Sequence, residues 1–182
     1  MTALVARVRE HYLDHFRAFA QIMGERWPTG SPEMMFEIPE PGDLFRGLYR
    51  LDFVAKDDDE LIVRELEPDK TLTFDAFSYE IKGVSVFFEQ LVWDDIELHH
   101  DATDLGSTFD RWFDYWFDPD DARFEPDVQI GQFIHSISAE PGHLSVDLGT
   151  ASADAFWDLI DLLTASGASR IRVSSSREAA NG

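Results

Sequence analysis

GVSVFFEQLVWDDIELHHD, residues 83–101, is the stretch whose reading decides the fold. From Val84 to Trp93 both alternating sets of side chains are apolar, the pattern of a central strand covered on both faces. Asp94-Asp95 interrupts it. Ile96 and Leu98 either continue the strand past a bend or begin a short new one. Working towards the N-terminus, Phe45 to Val54, Leu61 to Leu66 and Thr71 to Ile81 alternate like strands. The charged turn at residues 56–60 and Pro68-Asp69-Lys70 separate them. Working towards the C-terminus, Ile130 to Ser138 and His143 to Leu148 form a hairpin around Glu140-Pro141-Gly142. Ile171-Arg172-Val173 is a last strand.

Three helices flank these strands. Residues 3–23 place Leu4, Val8, Tyr12, His15, Phe19, Ile22 and Met23 on one face, and the helix stops near Gly24. Residues 104–117 carry an aromatic stripe of Phe109, Trp112, Phe113 and Trp116. A third helix starts at a cap near Ser152, buries Phe156, Leu159, Ile160 and Leu163, and ends at Ser166-Gly167. The expected fold is α+β, a largely antiparallel sheet with about three helices packed on it, in the order α-ββββ-α-ββ-α-β. The chain reads as a single domain. Residues 1–24 can dock as an appendage through the Pro-rich segment 28–42, and residues 174–182 form a loose tail.

Composition narrows the function classes. The 182 residues hold 36 acids against 15 bases, a net charge of −21. A surface this negative repels nucleic acid and anionic membrane and attracts basic proteins or cations. The acid is concentrated: residues 40–127 carry 25 acids and 8 bases, a net of −17, against −1 for residues 1–39 and −3 for residues 128–182. Genome bias or adaptation to salt predicts a more even spread, so the asymmetry favours a dedicated acidic face. There is no cysteine, which excludes disulfides and thiolate metal sites and fits a cytoplasmic location. No apolar run approaches the roughly 18 residues of a membrane helix.

The motifs of dinucleotide, nucleotide and zinc-peptidase sites are missing, and no cofactor is implied. Asp118-Pro119-Asp120 begins like a calcium loop, but Arg123 replaces the turn glycine and Gln129 the bidentate Glu. Candidate metal ligands are His11 and His15, four apart on the first helix, with His99, His100 and Asp101 as further donors for zinc, manganese or iron. Against this, His15 falls in the apolar face of its helix, and neighbours in a strand such as His99 and His100 point to opposite faces. Glu89, inside the most apolar strand, is the candidate catalytic acid or base, or else the partner of an arginine. His135 and His143 read as structural.

The second helix is the most distinctive segment. Asp110, Asp114 and Asp118 form a stripe that repels itself, and Asp118 stands at the helix C-terminus, where the dipole disfavours an anion. Asp120, Asp121, Glu125 and Asp127 extend it. Without local compensation, this stripe points to an external basic partner, and Asp110, Asp114, Asp118, Asp120 and Asp121 are the candidate binding residues. The expected function is therefore a protein-binding module, of the immunity or inhibitor kind or a nucleic-acid mimic, presenting an acidic face to a basic protein. The alternatives are a metal- or carboxylate-dependent enzyme and a housekeeping domain with a salt-adapted surface. Tyr115 and Trp157 lie off the main stripes of their helices, where they could also serve a homodimer.

Overall fold

A computed structural model describes all residues except 40–41, 59, 68–70, 124–129 and 178–182. Its order is α1 (Thr2–Arg26), β1 (Ser31–Glu37), a 3-10 turn (Phe45–Gly47), β2 (Leu48–Asp57), β3 (Glu60–Arg64), β4 (Phe77–Ile81), β5 (Val84–Phe88), β6 (Ile96–His100), α2 (Gly106–Phe117), β7 (Ser136–Glu140), β8 (His143–Asp147), α3 (Ala153–Ala165) and β9 (Arg170–Ser174). The α+β class and the three helices are as the sequence predicts. Among the described residues six strands precede α2 where four were expected. The additional ones are β1, inside the Pro-rich segment, and the separate strand β6.

The decisive stretch divides at the acidic pair. β5 ends at Phe88, residues 91–95 turn, and β6 begins at Ile96. The apolar run therefore does not make one strand covered on both faces. In β5 Val84, Val86 and Phe88 are buried while Ser85 and Phe87 are exposed. Leu91, Val92 and Trp93 supply the rest of the apolar signal from within the turn, where all three are buried. The Trp93 indole N–H donates to Gly149 O at 2.9 Å, which pins that turn beneath the end of β8.

The strands form two sheets. One is β1-β2-β3, antiparallel throughout. The other runs β4-β5-β9-β6-β8-β7, antiparallel except for the parallel β5–β9 pair. The last strand thus fills the middle of the larger sheet, between β5 and β6. The two sheets meet along β7, where Arg50 N donates to His135 O at 2.8 Å and Leu44 bridges Ser138. Inward residues of the larger sheet, including Val86, Leu98, Leu144, Ile171 and Val173, share one core with all three helices. The opposite face of that sheet is left without a helix among the described residues.

Helix α1 belongs to this core. Val5, Leu13 and Phe16 are buried with Val8 and Tyr12, whereas Ile22 is exposed. The buried stripe is thus rotated by about one residue from the expected face, towards Leu13 and Phe16. Arg9 fastens the helix from its flank, donating to Ala151 O at 2.6 Å and Thr150 O at 3.3 Å. Residues 174–177, expected to be loose, are also held. Ser175 and Ser176 donate to Asp95, and Arg177 makes a two-pronged pair with Asp94 at 2.7 and 3.1 Å.

Candidate functional site

The acidic stripe of α2 finds partners within the chain. Arg46, from the 3-10 turn, reaches Asp114 at 2.5 Å and Asp110 at 3.4 Å, and its guanidinium lies over the Phe45 and Phe113 rings. Asp118 is buried. It takes the left-handed conformation that ends the helix, and its carboxylate accepts the backbone N–H groups of Ala122 and Arg123. The helix-end carbonyls have their own cation: buried Arg50 donates to Phe117 O and Asp118 O and pairs with Asp121 at 2.7 Å. The premise that this stripe lacks compensation is therefore corrected. Arg46 and Arg50 lie 64 to 71 residues from the acids they meet, so no local reading finds them, whereas Arg123, 3.9 Å from Asp118, is a neighbour along the chain. Asp120 remains exposed. Glu125 and Asp127 lie outside the described residues.

A different acidic surface lies on the other flank of α2. Thr108, Arg111, Trp112, Tyr115 and Trp116 face Asp158, Asp161, Leu162 and Ala165 of α3 across an open groove. Helical period explains both walls. Residues 108, 111, 112, 115 and 116 fall on one side of α2, and Asp154, Asp158 and Asp161 repeat at four and three along α3. Tyr115 is 58% exposed. Its ring meets Trp116 edge-on at 4.9 Å, and the Arg123 guanidinium lies over it at 5.0 Å. The Trp116 indole N–H donates to Asp158 at 3.2 Å, while partial burial pushes the Asp158 carboxyl above its ordinary value. Asp161 is held by Lys82 at 2.7 Å, with both side chains half exposed or more. The groove thus offers aromatic faces beside carboxylates that keep much of their contact with water. Its acids escaped notice in the sequence because the C-terminal third has a net charge of only −3, although the 154/158/161 spacing was visible.

A third set of acids is buried where the two sheets join. Glu33 on β1 and Asp52 on β2 are cross-strand neighbours, and both point at His135, which is 1% exposed. Imidazole Nε2 lies 3.2 Å from Glu33, and Nδ1 lies 3.0 Å from Asp52 and 3.8 Å from Asp147. Thr150 donates its hydroxyl to Glu33, Gly131 N–H does so at 2.6 Å, and Leu66 N–H donates to Asp52 at 2.7 Å. Phe16 of α1 packs against the imidazole at 5.7 Å. Glu33 has a φ of 55°, a left-handed conformation costly for a side-chain-bearing residue and held here by these contacts.

The electrostatics of this junction favour bound protons. Burial disfavours a charged imidazole, but Asp147, Asp52 and Glu33 together outweigh it and raise the pKa of His135 well above its ordinary value. Burial pushes Asp147 up to about 8 despite the opposing pull of His135. Glu65 is pushed up to about 7, by desolvation first and Asp52 second. The Tyr12 hydroxyl, buried nearby without a hydrogen-bond partner, is raised by burial and by the same carboxylates. The ring of acids around His135 depends on long-range pairing that the sequence does not display.

The remaining sequence candidates do not converge. The His11 and His15 rings meet edge-on at 4.5 Å, and His15 Nδ1 lies 2.7 Å from His11 O, a bond along the helix. His99 faces out from the larger sheet and is exposed. His100 turns inward, and burial lowers its pKa. Asp101 accepts the Ser169 hydroxyl and the backbone N–H groups of Arg170 and Ser169, bonds that hold its carboxyl below the usual range. Among the described residues no group of three or more His, Asp or Glu side chains is arranged to hold a metal ion. Glu89 is exposed and pairs with Arg172, as the alternative reading of that residue expected. No helix among the described residues is long and apolar enough to cross a membrane. No family model, curated protein or solved structure matches the chain.

Proposed function

We propose that the protein is a binding module whose α2–α3 groove docks an arginine-bearing segment of a basic partner protein. The observation that carries this reading is the exposed Tyr115 ring beside Trp116, Asp158 and Asp161. A guanidinium laid on an aromatic face gains roughly 0.5–1 kcal/mol at an exposed site, more when desolvated. A carboxylate beside it adds a charge-assisted hydrogen bond. Arg123 already occupies one side of Tyr115 in this way, so the chain supplies its own example of the contact. The net charge of −21 supplies steering, which raises the association rate of a basic partner and fades with salt.

Binding of a fluorescein-labelled arginine-rich peptide tests this reading. Charge alone draws such a peptide to any acidic protein, so charge-matched variants are compared. Asp158→Asn with Asp161→Asn removes two groove carboxylates, whereas Asp57→Asn with Glu60→Gln removes two from the exposed β2–β3 turn. The groove pair is expected to weaken binding roughly tenfold more than the turn pair, a difference of about 1.4 kcal/mol. Equal losses in the two pairs would contradict a dedicated groove.

A further inference from the structure

The helix-free face of the larger sheet carries a depression that the docking groove does not use. Register places its side chains: His99 lies opposite both Arg172 and His143, and Glu97 lies opposite Ser174 and Ser145. All therefore project from the same face. Glu89, Gln90, Ser175 and Ser176 complete the lining.

The acceptors in this depression are largely engaged. Glu97 receives the Ser145 hydroxyl at 2.9 Å and meets His143 Nε2. Glu89 receives Arg172 Nε at 2.8 Å and also its Nη2. The donors are not. The Gln90 side-chain nitrogen is buried without a hydrogen-bond partner. Among the described residues, the His99 ring makes only a stacking contact with His143, at 4.7 Å, and Arg172 spends Nε and Nη2 on Glu89 but leaves Nη1 unbonded. The Gln90 amide calls for an acceptor, because a buried donor recovers its lost hydration only by finding one, and the exposed Arg172 and His99 border the same depression. Arg170 stands beside Arg172 along β9 with its side chain exposed and its Nε 3.8 Å from Asp101, so each of these two arginines has one carboxylate beside it.

We infer that the depression between β5, β9, β6 and β8 binds a small oxyanion of the phosphate class. Arg172 Nη1 and the Gln90 amide donate to it, and the His99 and His143 rings border it. Glu89 limits the affinity, because it occupies two of the donors of Arg172 and repels the anion.

The test is a titration of the full chain, followed through the ring resonances of His99 and His143 by NMR. One arm uses inorganic phosphate and a second uses O-phosphoserine. Saturable shifts of both rings are expected in at least one arm, and the arm with the tighter binding identifies the source of the anion. Gln90→Met and Arg172→Met are expected to weaken binding at least tenfold, with thermal melts confirming that each variant folds. Glu89→Gln, which should fold readily, is expected to strengthen binding severalfold. Absence of saturable shifts in both arms overturns the inference. So does a Glu89→Gln variant that binds more weakly than the parent chain.

Discussion

The acids at the sheet junction and the acids along α3 are the same chemical groups in opposite circumstances. Glu33, Asp52 and Asp147 surround one histidine at the junction, with backbone N–H groups and Thr150 meeting their oxygens. Asp158 and Asp161 border a groove open to water and keep neighbours that a partner could compete with, an indole N–H and a half-exposed lysine. The first set specifies how the β1-β2-β3 sheet seats on the larger one. The second leaves its charge on view. Negative charge in the sequence therefore identifies neither a docking surface nor a structural lock. What separates them is how far the fold shields the acid and its partner from water.

The largest expected effect breaks the junction. In His135→Leu the three carboxylates face one another without a cation. Breaking a buried ion pair by removing one partner costs about 3–5 kcal/mol, to be read as a lowered urea midpoint. A midpoint close to that of the parent chain would place the junction among ordinary surface charge.

Stability should next depend on pH in a fixed direction. His135 has a raised folded pKa, so its contribution is complete below its unfolded value near 6.5 and is lost as pH rises through the folded value. Asp147 and Glu65 stay protonated in the folded chain up to about 8 and about 7. Unfolded, they release their protons near the ordinary carboxylate pKa of about 4. All three groups bind more protons when folded, so stability falls as pH rises from about 5 to 8. Urea midpoints at the two ends of that window check the sign, and a higher midpoint at pH 8 would contradict the description of the junction.

A smaller effect is expected at the acidic stripe of α2. Arg46→Gln leaves Asp110 and Asp114 unpaired but half exposed, so the loss should stay below about 1 kcal/mol and shrink in salt. Smallest of all is the effect of Tyr115→Ala on stability, since the ring is mostly in water. The same substitution should still weaken binding of the arginine-rich peptide severalfold, and a loss of fold without loss of binding would reverse the assignment of that residue.

The sequence showed well what depends on neighbours along the chain. The stripe Phe109, Trp112, Phe113 and Trp116, the Ser152 cap and the 141–142 hairpin are all in place. Period and turn chemistry act over a few residues and can be read directly. What it hid depends on distant partners. Arg46 meets Asp114 across 68 residues, and Glu33 meets His135 across 102. The apolar run at 84–93 misled because a buried turn and a buried strand share one composition. Tyr115 was legible as an off-stripe aromatic, but the acids facing it belong to another helix.

The most direct measurement follows the tryptophan indole N–H resonances while the arginine-rich peptide is titrated into the full chain. The Trp116 indole N–H bonds Asp158 at the groove, whereas the Trp93 indole N–H is buried on Gly149 O and Trp93 does not line the groove. A saturable shift of Trp116 with Trp93 unmoved is the predicted result. Saturable binding that leaves the Trp116 resonance in place would contradict the groove as the docking site.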